Sequence, residues 1–315
     1  MSTNGRRPPK TVTREPSDDP PRRAVRRLRW RRFKWAVRIV ALLLTVSMFL
    51  VGFDRLFYYP TNELHYTPEE FSLRYEEVAF STADGVKLSG WFLPARGRAR
   101  GTVIHFHGNA GNITAHFPLS CWLVREGYNV LVFDYRGYGR SGGRVTREGT
   151  ILDGHAALDY LLARDDLDPQ RIVAFGQSLG GAVAAVVAAE RKEIRAVVLD
   201  STFSSYRRIG SLHLQRTLYF RWLADAIAWL GLSGGYDPID YVARISPRPL
   251  LVIASAEDRI CFAESGRELF DAAAEPREFV LVPESDHLET VVENVDDVQQ
   301  EILRLFERAL DGSPE

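Results

Sequence analysis

The stretch "RIVAFGQSLGGAVAAVVAAE" (171–190) sets an apolar run, a serine between glycines and an alanine-rich run end to end. The first run, ending at Phe175, has the pattern of a buried strand, and the last, beginning near Leu179, has that of a helix. Almost no loop is left between them, so the chain must reverse sharply at Ser178. Gly176 and Gly180, two positions to either side, supply neighbours without bulk, and the turn lifts the hydroxyl above the sheet. The Ala and Val residues that follow are small enough to pack closely on the strands. The N-terminus of their helix turns amide N–H groups and a positive dipole toward the serine. "GQSLG" thus matches G-x-S-x-G in the strand-to-helix setting of a nucleophile elbow.

Working outward, "TVIHFH" (102–107), "NVLVFD" (129–134), "AVVLD" (196–200), "PLLVIAS" (249–255) and "EFVLVP" (278–283) are also near-continuously apolar. Strands buried on both faces look like this, which predicts an α/β fold whose mostly parallel sheet is covered by helices on both sides. Candidate helices lie near 112–126, 148–164, 179–190, 263–273 and 294–310. Upstream, "LRYEEVAF" and "VKLSGWFLP" read as an antiparallel pair joined by "STADG". One connection, about 204–248, is far longer than the rest and reads as a small helical cap. Its aromatics Tyr219, Phe220, Trp222 and Trp229 would line an acyl pocket or pack the cap onto the domain.

The 315 residues are 45 % hydrophobic, enough for a sizeable core, and the net charge of −1 hides an asymmetry. Residues 1–38 hold thirteen Lys or Arg against three acidic residues, a balance of +10, and the rest sums to −11. A globular part this acidic excludes a nucleic-acid partner, which requires a basic face. Residues 1–34, rich in Pro, Arg, Ser and Thr, are expected to be a disordered basic arm in the cytoplasm. Ile39 to Phe53 is uncharged, and 35–59 would give roughly 37 Å of helix, enough for a hydrocarbon core of about 30 Å. The expectation is an uncleaved single-pass signal anchor, with residues 60–315 as the globular domain on the outer side of the cell membrane; a cleaved signal peptide, or a buried or surface-lying helix, is the alternative. Cys121 and Cys261 lack CxxC spacing, do not settle the compartment, and read as buried apolar residues.

A serine hydroxyl is a poor nucleophile until a base, itself held by a third group, takes its proton. Of seven histidines, five precede the serine and His213 lies in the cap. Only His287 follows a late strand, "REFVLVP", in the loop "ESDH". For the acid, the loop after the preceding strand offers Glu257 and Asp258, and Asp286 stands beside the histidine.

With these motifs the chain resembles the α/β-hydrolases over roughly residues 75–310. In that family the order along the chain is nucleophile, acid, histidine, and the acid sits a few residues beyond its strand. The resemblance therefore implies Ser178, Asp258 and His287. It also implies oxyanion donors at the amide of Leu179 and, from "HGNAGN", at the amide of Asn109, with His107 supporting that loop. "DYRGYGRSGG" is then a structural loop and not a dinucleotide site, since no helix opens there. "FHGNAGN", "GQSLGG" and the basic, apolar N-terminus are similar to the membrane-associated α/β-hydrolase-domain proteins, a group that includes protein depalmitoylases. The one departure is Asp286, where that group commonly has Gly.

The implied activity is hydrolysis of an acyl ester or thioester on a small-molecule, lipid or acyl-protein substrate, with no cofactor and no metal. A peptidase or acyltransferase on the same residues, or a non-catalytic binding protein on a hydrolase scaffold, are the alternatives. The oligomeric state is not legible.

Overall fold

The computed structural model describes residues 22–51, 57–218, 220–291 and 295–312. Helix α1 (Arg22–Val51) lies, up to Leu50, in an N-terminal unit, and Val51–Glu315 forms a second unit. The helix starts inside the stretch expected to be disordered, because Arg, Leu and Lys lose little rotamer freedom in a helix. The expected membrane span does not emerge from it: among the described residues no helix is long and apolar enough to cross a membrane. Part of the expected span 35–59 lies beyond the described residues of this helix. Residues 1–21 and 52–56 lie outside the described part.

In the second unit a two-residue strand β1 (Tyr59–Pro60) comes first, followed by β2 (Glu76–Ser81), β3 (Lys87–Leu93) and β4 (Gly101–Phe106). After the short β5 (Ala110–Gly111) come two four-residue helices, α2 (Ile113–His116) and α3 (Trp122–Arg125), and then β6 (Tyr128–Phe133). The single helix expected over 112–126 is interrupted because Pro118 sits between the two pieces, within a 3-10 turn over Phe117–Leu119, where it cannot donate an amide. Helix α4 (Arg147–Leu162), β7 (Ile172–Gln177), α5 (Leu179–Glu190) and β8 (Ile194–Asp200) complete the middle. The cap contributes α6 (Tyr206–Gln215) and α7 (Arg221–Gly231), and β9 (Leu250–Ser255), α8 (Ala263–Ala272), β10 (Arg277–Val282) and α9 (Val295–Asp311) close the chain.

Eight strands form one sheet in the order β10-β9-β8-β7-β4-β6-β3-β2. β2 and β3 are antiparallel, as is β3 to β6; the remaining neighbours run parallel. A strand's period of two divides the core accordingly. Ile104, Phe106, Leu131, Phe133, Ile172 and Val252 face α4, α5 and α8, whereas Val103, Val130, Val132, Phe175, Leu251 and Ile253 face α3 and α9. Each such side chain, taken fully from water, contributes about 1.5–3 kcal/mol. Alternation therefore fixes the register, since a one-residue slip would exchange the two cores. Because the central strands are parallel, their carboxyl ends gather along one rim, where the chain leaves β4, β7, β9 and β10 for the loops that carry the candidate site.

Candidate active site

Ser178 occupies the turn between β7 and α5 with φ 53° and ψ −116°, a left-handed conformation that costs a non-glycine residue about 1–3 kcal/mol. Its amide donates to the Asp200 carbonyl at 2.9 Å. The neighbouring glycines are there for close approach. A Cβ on Gly180 would lie 1.9 Å from the Phe106 carbonyl oxygen and 2.6 Å from that of His107. A Cβ on Gly176 would meet the Gly180 oxygen at 2.6 Å, and one on Gly181 would meet Thr202 Oγ1 at 1.8 Å. The start of α5 is thus pressed against the end of β4, a packing that any side chain there would forbid.

Of the three carboxylates left open by the sequence, Asp258 reaches the imidazole: His287 Nδ1 donates to Asp258 Oδ2 at 2.7 Å. Asp258 Oδ1 accepts the amides of Ile260 and Cys261 at 2.7 and 2.8 Å, which holds the carboxylate in place. Asp286 turns its carboxylate onto the backbone instead, accepting the amide of His287 at 2.8 Å. That hydrogen bond holds its carboxyl below the usual range. Glu257 is exposed.

Ser178, Leu179, Asn109 and His287 line one cavity of about 450 Å³. The Ser178 hydroxyl points at Cys261 Sγ, 3.6 Å away, and no hydrogen bond joins it to His287 among the described residues. Nδ1 is committed to Asp258, so Nε2 is the ring nitrogen left for exchange with the cavity. The amides of Leu179 and Asn109 likewise have no acceptor among the described residues. The Asn109 side chain is pinned, its Oδ1 accepting from Tyr138 Oη at 2.9 Å and from the Tyr59 amide at 3.3 Å. His107, fully buried, stacks on His116, packs at a tilt against Tyr135 and bonds the Gly108 carbonyl at 2.7 Å. It does not line the cavity.

The loop "GYGRSG" is built around two buried carboxylates. Asp134 accepts the amides of Ile113 and Arg140, and Arg136 bridges Asp153 and Asp84. Burial pushes Asp134 and Asp153 up to about 6.

Three residues of the site carry no signal in the sequence. Cys261 is buried and free, as expected, but it also touches the serine; Cys121 is only partly buried. Asp200 and Thr290 belong to a buried network beneath the elbow. His105 bonds Ser120 and Gln177, Gln177 donates to Asp200 Oδ2 at 2.9 Å, and Thr290, three residues after His287, donates to Asp200 Oδ1 at 2.9 Å. Ser201 donates to Asp200 Oδ1 as well, at 3.1 Å. One carboxylate therefore ties the histidine loop to the strand that ends in the serine. Asp200→Ala strands these donors, each worth about 1–3 kcal/mol when unsatisfied. The expected result is a fall of about 3 kcal/mol in stability, and a drop in kcat for ester hydrolysis that exceeds any change in KM. A folded Asp200→Ala protein with unaltered kcat would show that the tether does not position the histidine.

The same burial governs pH. His105 is pushed down to about 3, and His107 well below its ordinary value. Below about pH 6.5 the unfolded chain takes up protons that the native chain refuses. Each imidazole therefore withdraws up to about 1.4 kcal/mol per pH unit as the pH falls toward its native value. The raised Asp134 and Asp153 act oppositely between their ordinary value and about 6. The expected outcome is a thermal midpoint that falls between pH 7 and 6, less steeply in His105→Gln, in parallel melts of the two proteins.

Among the described residues, Asp258, Cys261 and His287 present metal-ligand atoms within 4.8 Å of one another. The imidazole–carboxylate hydrogen bond already occupies two of them.

Residues 97–246 match the family described as "Serine aminopeptidase, S33". Protein YfhR of Escherichia coli is 38 % identical over 251 residues, covering 78 % of this chain and 84 % of its own. The α/β-hydrolase domain-containing protein WAV2 of Arabidopsis thaliana is 32 % identical over 237 residues, 71 % of this chain and 76 % of its own. An esterase of Pyrococcus furiosus superposes with a TM-score of 0.67 at 27 % identity, over 80 % of this chain and 99 % of that one. With the elbow, the parallel sheet and the rim of loops already in place, these likenesses settle the family. The chain belongs to the α/β-hydrolases and is a serine hydrolase.

Proposed function

We propose that the protein hydrolyses esters or thioesters of an apolar acyl group. Ser178 Oγ turns from Cys261 toward Nε2 of His287 and attacks the acyl carbonyl carbon as its proton passes to that nitrogen. The oxyanion is held by the amides of Leu179 and Asn109. The C–O or C–S bond to the leaving group breaks, the alcohol or thiol departs with the proton from His287, and water then releases the acyl group by the same steps in reverse. Asp258 keeps the imidazole in the tautomer with Nδ1–H throughout.

The observation that carries this reading is the wall of the cavity. Phe57, Phe203, Ile209, Ile260 and Leu288 line it, and no Asp or Glu is among its described lining residues. An aminopeptidase must neutralise the α-ammonium of its substrate, and nothing here does so; an acyl chain needs only apolar surface. A panel of p-nitrophenyl esters, acyl thioesters and aminoacyl amides tests the choice. Turnover of esters and thioesters that rises from acetate to octanoate is expected, and preference for the amides would overturn the reading.

The reading extends to an N-terminal anchor with the hydrolase domain outside the cytoplasm. Support comes from the uncharged run Ile39–Phe53 behind a segment of balance +10. Resistance to alkaline carbonate extraction, and an alkaline phosphatase fusion after Glu315 that is active only when exported, are the expected results. A fully extracted protein would sink the anchor.

A further inference from the structure

Helix α7 buries two alanines and turns its tryptophans outward, with Leu223 and Ile227 partly buried. Ala224 and Ala228 are buried, whereas Trp222 and Trp229 are 67 % and 63 % exposed, and Leu230 and the preceding Phe220 are each 54 % exposed. Trp222 and Trp229 are not among the described residues lining the Ser178 cavity, one of the two roles expected of the cap's aromatics; Tyr219 lies outside the described residues. Trp222 and Trp229 are seven positions apart and share one face of the helix. An exposed apolar surface of this kind, set among charges, marks an interaction site.

The charges say what covers it. From Ser204 to Leu232 the cap carries Arg207, Arg208, Arg216 and Arg221 against the single acid Asp225, a balance of +3. The remainder of residues 39–315 holds twenty-three basic and thirty-seven acidic side chains, or −14. Arg207 stacks over the Trp229 ring with 5.4 Å to the centroid, and Arg207, Arg208, Arg221 and Trp229 line a groove of about 420 Å³. Guanidinium groups beside indoles are the chemistry of the phosphate and carbonyl levels of a bilayer. The surface is also continuous with the active site. Ile209, Gly210 and His213 of α6 line the Ser178 cavity, while Ser211 and Gln215 on the same helix hold Asp225 of α7. His213 is bonded to the Ile260 carbonyl at 2.9 Å.

We infer that the outer face of the cap docks on a bilayer containing anionic phospholipid, with Trp222, Trp229 and Leu230 entering the interface and Arg207 and Arg221 against the phosphates, while Arg208 is paired with Glu268. Docking places the cap, and the cavity it roofs, at the source of an acyl substrate. The inference rests on the hydrolase reading above and gives that reading a lipid-borne substrate.

The test uses the full chain reconstituted into phosphatidylcholine vesicles with and without phosphatidylglycerol. Water-soluble p-nitrophenyl acetate and a vesicle-borne long-chain ester are assayed side by side, and hydrogen exchange is followed over 221–231. The expected result is amide protection that requires phosphatidylglycerol and weakens with salt. Trp222→Ala/Trp229→Ala and, separately, Arg221→Glu should lose roughly tenfold on the vesicle-borne ester and nothing on the acetate. Unchanged vesicle-borne rates without protection would overturn the docking while acetate turnover preserved the hydrolase reading. Absence of turnover on both esters would remove the hydrolase reading, and hydrogen exchange would still judge the docking. A lipid-independent dimer abolished by the tryptophan substitutions would assign the face to a second copy and overturn the lipid proposal.

Discussion

Ser178→Ala is expected to lower kcat/KM for a short ester by at least about 10⁴-fold and to abolish covalent labelling by a fluorophosphonate, with the fold intact. The size follows from the division of labour at the site. The remaining groups still bind substrate and stabilise an oxyanion, but water must replace a nucleophile held in place, and residues that act as a unit lose most of their effect when one is removed. Stability should change by less than about 1 kcal/mol, because the hydroxyl's only close partner among the described residues is Cys261 at 3.6 Å and deletions that break no strong contact are mild. Fluorophosphonate labelling that survives in the alanine protein would locate the nucleophile elsewhere. That result would remove the proposed chemistry while leaving the family assignment untouched.

Gly180→Ala is expected to destabilise the fold severely, because the clash it creates is with backbone. The new carbon would stand 1.9 Å from one backbone oxygen and 2.6 Å from another, at Phe106 and His107. Neither can yield without moving the end of β4, and with it the loop that presents Asn109. Overpacking of this severity costs about 3 kcal/mol or more, equivalent to a fall of roughly 6–12 °C in thermal midpoint for a domain of this size. Activity should fall with it, since α5 and the Asn109 loop separate together. Gly142→Ala is the matched control, because its Cβ would meet only the Lys87 oxygen, at 3.4 Å, and it should melt within about 2 °C of the parent protein. Equal melting of the two variants would show that the close approach at Gly180 is not what shapes the elbow.

Both residues are legible in the sequence for a local reason. Ser178 and its flanking glycines stand within five positions of one another, so the turn, its lack of bulk and the change of period from two to 3.6 all fall in one short window. The same holds for the strands, whereas the order serine, acid, histidine comes from the resemblance to the α/β-hydrolases. Among three neighbouring carboxylates, however, nothing local separates Asp258 from Asp286. The choice comes from where the loops after β9 and β10 meet, at a hydrogen bond between residues 29 positions apart. Asp200 and Thr290 are 90 apart and Cys261 is 83 from the serine it touches, and a lone Asp, Thr or Cys has no period to betray it. In α7, the alternation of large and small residues is plain, but it does not say which side turns inward; packing of Ala224 and Ala228 decides that.

What this sequence determined by itself was the identity of its elements and of the serine, because backbone geometry and solvent exclusion act over a few residues and leave a repeating trace. What the tertiary structure alone decided was which buried acid ties the two loops together and where the cap turns its tryptophans. Those depend on side chains brought together across an eight-stranded sheet, where a contact is set by the packing of every layer between its partners.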